Sequence, residues 1–212
     1  MDRASSFRVG LTLWLTRSFF LLFVQLGFCL LFSAQSPVPQ LNESGHLLVN
    51  GHSVDYLIRR LPVSSFPELP VAVAEELNRR GCLIPQTWQA HGPENVIHTS
   101  LEYAGSSDWA ALCSAEGRVS LLVLFGSAPK QAQILASMAE NDRLQAHDAS
   151  GVLGFNWGID PATPEQVRLA QMGVDPKPAR IDHDALADSW IDRRTVYHYF
   201  SQNAWTVLRV PD

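Results

Sequence analysis

The sequence predicts an α+β domain with a mostly antiparallel sheet and two or three packing helices. Three observations carry that expectation. Short strand-like segments bounded by turn residues outnumber the helical ones, two helix starts carry capping-box signatures, and strands and helices mix without a repeating βα unit, which disfavours a doubly wound sheet. With 212 residues, 46% hydrophobic and 17% charged, the chain has enough apolar material for one core and lacks the composition of a disordered protein.

The first element is a leader. Arg3, Arg8 and Arg17 accompany a single acid, Asp2, and the run from Phe19 to Phe32 is almost wholly apolar. A basic segment followed by such a run reads as a signal peptide over residues 1–36, with the small residues Ala34 and Ser36 before Pro37 as the peptidase site. A retained anchor over residues 9–32, with Arg17 snorkelling, is the other reading. Cys29 does not fit a lipoprotein cysteine, because Phe28 stands where a small residue is required. Removing the leader's three arginines and one aspartate from 16 basic and 21 acidic residues leaves 13 against 20, a charge of −7. Such a chain offers no field to phosphate backbones, so nucleic acid is not an expected partner. The location expected is periplasmic or secreted or, if the anchor is retained, membrane-attached and facing away from the cytoplasm.

Residues 37–46, with two prolines and no periodicity, read as a linker ahead of a single domain over 47–212. Within the domain, Asn50-Gly51 between two apolar runs predicts a hairpin. Ser65 and Glu68 bracket Pro67 as a helix start, with Leu69, Val73 and Leu77 as the core stripe, Glu75, Glu76, Arg79 and Arg80 as the exposed side, and Gly81 as the stop. Asn95–Tyr103, Asp108–Ser114 and Arg118–Phe125 predict a three-stranded meander, whose last strand lacks polar alternation and so is central. Residues 129–144 suit a helix through Ile134, Leu135 and Met138. Val152–Ile159 reads as a glycine-weakened strand. Thr163-Pro164-Glu165-Gln166 starts another capped helix ending at Gly173, and Asp175–Pro178 is a rigid connector. A further helix is expected from Asp184. Thr195–Ser201 and Ala204–Val210 form a last hairpin across Gln202-Asn203, with Val196, His198 and Phe200 on one face.

Once Cys29 leaves with the leader, Cys82 and Cys113 remain, an even number in a compartment where disulfides persist. Their bridge would tie a helix end to the sheet. Phe66–Pro70, Arg79–Gln86, Asp108–Ser114 and Trp190–Tyr199 together resemble a family of uncharacterised exported bacterial proteins. The resemblance spans most of residues 66–210 and implies export and a shared fold, with no assigned activity.

Candidate chemistry is sparse. The chain has no Gly-x-Ser-x-Gly elbow, phosphate loop, Gly-x-Gly-x-x-Gly, His-Glu-x-x-His or Cys-x-x-Cys, which removes the main support for nucleotide, dinucleotide, zincin and thioredoxin-like readings. No cofactor is expected. On a helix starting at Asp184, the carboxylates of Asp184, Asp188 and Asp192 would line one face, where a divalent cation could relieve their repulsion, with Asp182 beside them and His183 adding a nitrogen. The plainer expectation is a capped, solvated helix whose acids are neutralised by Arg193 and Arg194. A serine-hydrolase reading draws on Ser106, Ser107 or Ser127 with His98, His183 or His198. Trp88, beside Pro85-Gln86, is the expected aromatic ligand surface. The expected function is binding or envelope structure, with an unknown protein or envelope component as partner. A hydrolase and an inhibitor of an envelope enzyme are the competing readings.

Overall fold

Asn50 and Gly51 close the first hairpin with φ of 52° and 81°, the pair of left-handed residues that a type I′ turn needs. It joins β1 (Leu41–Val49) to β2 (His52–Pro62). In this computed structural model the described residues are 41–172, 174 and 180–209, and all belong to one unit, Val38–Asp212. The leader, residues 37–40, Gly173 and the 175–178 connector lie outside them. Because β1 begins at Leu41, the expected linker is shorter than its sequence suggested. Backbone pairing with β2 makes a strand where composition alone signalled coil.

The remaining elements are α1 (Val71–Arg79), β3 (Leu83–Gln86), β4 (Val96–Thr99), β5 (Asp108–Ala115), β6 (Arg118–Leu124), β7 (Gln133–Ala139), β8 (Leu144–Ala146), β9 (Leu153–Phe155), β10 (Trp157–Ala162), α2 (Pro164–Ala170), β11 (Ala185–Trp190), β12 (Arg194–Ser201) and β13 (Ala204–Arg209). Strands β1–β9 form one sheet, ordered β7-β6-β5-β3-β2-β9-β8, with β1 on β2 and β4 on β5; β10–β13 form a second. Every pairing is antiparallel except β2 with β9. The sheets are thus mostly antiparallel as expected, and the fold is richer in strand than an α+β reading implies.

Two expected helices are strands. Residues 133–139 pair with β6 because that strand, buried from Leu121 to Leu124, cannot leave its backbone groups unbonded on one side. Likewise Ala185–Trp190 lies between β10 and β12 in a four-stranded ladder, so Asp184, Asp188 and Asp192 do not share a helical face. The first helix also starts later than its capping-box signature: Val63–Ser65 is a short 3-10 turn and Pro70 occupies the N-cap. A helix running through Pro70 would lose a hydrogen bond and clash with the preceding turn. The meander, the last hairpin and the Thr163–Gln166 capping box are as expected.

The layers follow from strand alternation. On one face of the first sheet, Trp109, Ala111, Cys113, Leu122 and Leu124 pack against Val73 and Leu77 of α1, each such aliphatic burial contributing about 1.5–3 kcal/mol. On the opposite face Ala110, Leu112, Leu121 and Val123 meet Trp157, Ile159 and Leu186 of the second sheet. The second sheet's outer face, with Ala185, Tyr199 and Leu208, takes Val167 of α2. Helix, sheet, sheet and helix therefore stack in that order.

Cys82, directly after α1, is bonded to Cys113 in β5. The closed loop of 31 residues stabilises the fold by about 3–4 kcal/mol in the chain-entropy model. No helix among the described residues is long and apolar enough to cross a membrane.

Candidate functional site

The inward face of the second sheet is apolar at one end and charged at the other. Register places Trp157, Trp190 and Arg194 in one row across β10, β11 and β12, and Ile159, Asp188, Val196 and Arg209 in the next. Leu186, His198 and Val207 follow, then Phe200 and Trp205. The last row is sealed by Phe125, whose ring meets Phe200 at 5.0 Å and Trp205 at 5.9 Å. Trp205 also donates through Nε1 to Gln133 Oε1 of β7 at 2.8 Å.

Asp188 is the hub of the charged end. It is buried, and it accepts from Trp157 Nε1 at 2.7 Å and from His198 Nε2 at 3.0 Å. Arg143, contributed by the 3-10 turn Glu140–Arg143 after β7, approaches it to 3.9 Å. The Arg143 guanidinium lies over the Trp157 ring at 4.3 Å and near Trp190 at 5.4 Å, and its Nε donates to the Met138 thioether. Burial pushes this guanidinium below its ordinary value; Asp188 opposes that, and the positive charge of Arg194 adds to it. Two indole faces thus stand in for water around a buried cation.

Between this face and β7 lies a cavity of about 230 Å³. Leu135, Ala136 and Met138 of β7 line one side of it, and on the side of the second sheet Val196 and Val207 are interleaved with Asp188, His198, Arg194 and Arg209, with Arg143 between the two. Neither Arg194 nor Arg209 has a carboxylate partner among the described residues. Trp190 also lines the cavity, and its buried Nε1 has no hydrogen-bond partner among the described residues. On the other side of Trp190 is a broader groove of about 750 Å³. There three carboxylates, Glu94, Asp160 and Asp192, stand with two guanidinium groups, Arg193 and Arg194, and Arg194 lines both the groove and the cavity.

The expected metal ligands do not converge. His183 is buried and uses Nε2 to donate to the Phe200 carbonyl at 2.8 Å, while Nδ1 meets Asp182 at 3.1 Å. That bond holds the Asp182 carboxyl below its usual range. Asp184 accepts from Thr99 Oγ1, Asp188 serves Trp157 and His198, and Asp192 sits in the β11–β12 turn with φ of 58°. No group of three acidic, histidine or cysteine side chains among the described residues could hold an ion. The physical reason is the strand: residues four apart stand about 13 Å from one another along it, against about 6 Å on a helix, which is too far to share an ion.

One expected serine pair does meet. His98 Nε2 lies 2.7 Å from Ser107 Oγ, and the His98 ring stacks on Trp109 at 4.5 Å. The neighbouring Asp108 is occupied with the backbone N–H groups of Leu101, Glu102 and Gly126, and it shapes the loop rather than orienting the histidine. Ser106 donates to Asp108, and Ser127 donates to Glu102 at 2.8 Å. Trp88 is not an open platform, since His147 covers one ring face with centroids 4.7 Å apart. Gly154 packs beneath it so closely that a Cβ there would stand 2.7 Å from Trp88 Cβ.

Sequence reasoning did not single out Arg143, Trp190, Arg194 or Arg209 as site residues; it gave Arg194 only the role of neutralising the nearby acids. A signal was available for one of them: extending the Val196, His198, Phe200 alternation by two residues adds Arg194 to the same face. The chain matches no protein-family model, no curated protein and no solved structure.

Proposed function

We propose that this chain is an exported binding module that holds a small ligand in the cavity between β7 and the second sheet. The observation that carries it is the charged end of that cavity. A buried arginine costs several kcal/mol to desolvate, and cores of similar volume are often as stable or more so when such pairs are replaced by apolar residues. Charge retained at a cavity wall has a use in recognition. Export is supported by the Cys82–Cys113 bond, which persists in oxidising compartments, together with the leader composition.

The test is to expose the purified full chain to a small-molecule extract of the envelope and weigh it by native mass spectrometry. Val207 is 47% exposed at the cavity mouth, so Val207→Trp obstructs the mouth without repacking the core. The reading requires a retained mass on the wild-type chain that V207W lacks. The same mass on both, or on neither, refutes it.

A second reading, a serine hydrolase, rests on the His98–Ser107 contact. It requires a fluorophosphonate probe to label Ser107 and Ser107→Ala to abolish the label.

A further inference from the structure

We infer that the ligand is a small anionic amphiphile, with an acidic head held by Arg143, Arg194 and Arg209 and a short apolar body laid on β7. This rests on the cavity being the binding site and adds the chemical class.

The charge argument comes first. The exported chain carries a formal −7, yet three guanidinium groups line one small cavity against a single carboxylate, Asp188. Asp188 is already committed to the Trp157 indole, His198 and Arg143. Arg194 has no acidic partner among the described residues, and its guanidinium carbon lies 5.8 Å from the Trp190 ring. A ligand that completes this set must accept hydrogen bonds and carry negative charge, as carboxylates, sulfates and phosphates do. Trp190 Nε1, buried and without an acceptor among the described residues, is a further donor lining the same cavity.

The shape argument fixes the rest. Leu135, Ala136 and Met138 of β7 give the wall opposite Arg194 and Arg209 no polar side chain, so an inorganic ion would leave it dry and unused. Methionine adapts to irregular apolar shapes, which suits a flexible chain. A volume of about 230 Å³ is that of roughly eight water molecules at about 30 Å³ each. It falls below the range of drug-sized sites, about 300–1,000 Å³. A two-chain phospholipid does not fit, whereas an acidic head with a few methylenes does.

Calorimetric titration of the disulfide-bonded full chain tests this with four probes: hexyl phosphate, 1-hexanol, hexylammonium and inorganic phosphate. Hexyl phosphate is expected to bind, with 1-hexanol and inorganic phosphate each weaker by about tenfold or more and hexylammonium silent. Arg194→Ala and Arg209→Ala, each at an exposed strand end, are each expected to weaken hexyl phosphate by about tenfold, the loss of one charged hydrogen bond. Val207→Trp should abolish it. Equal binding of 1-hexanol overturns the anionic head, and equal binding of inorganic phosphate overturns the apolar body. Binding of anionic phospholipid vesicles without hexyl phosphate binding overturns the small-ligand class. If none of the four probes binds while the envelope mass is still retained by wild type and lost in V207W, the class falls and the cavity stands. If hexyl phosphate binding survives in V207W, with its fold verified by circular dichroism, the cavity reading falls as well.

Discussion

The two faces of the first sheet solve opposite problems. Against α1 the packed core is apolar and crosslinked: Val73 and Leu77 meet Leu122 and Leu124, and Cys82–Cys113 joins the helix end to β5. Against the second sheet the core is apolar only at its Phe125–Phe200–Trp205 end and gives way to Arg143, Asp188 and His198 at the other. The first face has the composition of a contact selected for stability. On the function proposed above, the second face gives up some of that stability to keep charges where a small molecule can reach them.

That contrast breaks most sharply at Asp188. Asp188→Ala leaves Arg143 buried and uncompensated and is expected to cost about 3–5 kcal/mol in urea unfolding. The double replacement Arg143→Met with Asp188→Leu should recover most of that loss while abolishing ligand retention. If the double variant is as unstable as the single one, the charged end is structural and the contrast fails.

The next largest effect belongs to the crosslinked face. Cys82→Ser with Cys113→Ser is expected to lower stability by about 3–4 kcal/mol and to leave ligand binding intact in the fraction that folds. A loss below about 1 kcal/mol would show that the apolar packing alone holds α1. Native exported protein should also resist thiol alkylation until reduced.

Glu76 sharpens the comparison because it is a buried acid on the stable face, fully paired. Arg79 bonds it at 2.7 and 2.8 Å and Arg80 at 2.7 Å. The Arg79 bond, helped by Arg80 and against the opposing effect of burial, holds its carboxyl down at about 2, against the ordinary 4.5. A carboxyl whose folded value is depressed stabilises the fold above its unfolded value. That contribution is present in full above about pH 4.5 and fades as pH falls toward 2. Glu76→Gln should therefore cost about 1–2 kcal/mol at neutral pH and only a small fraction of that at pH 2, measured by thermal melts across the range. A pH-independent difference would mean the arginine pairing is not its cause. The smallest expected effect is Thr163→Ala, which removes the α2 cap and should cost about 1 kcal/mol without touching the cavity.

What was legible from residues alone was local. Asn50-Gly51, Gln202-Asn203 and the Thr163–Gln166 box each specify a turn or helix start through backbone geometry that neighbours cannot easily override. The unbroken Leu121–Phe125 run marked a strand covered on both sides. The cavity was not legible, because its arginines come from three separated segments and none forms a motif with its sequence neighbours. Gln133–Ala139 and Ala185–Trp190 carry spacings compatible with a helix. They become strands only because β6, β10 and β12 present edges whose N–H and C=O groups must be bonded. Propensity and turn chemistry act over a few residues, so they are written in the chain. Pairing and the meeting of distant charges depend on which edges are left open, and that is decided only once the sheets assemble.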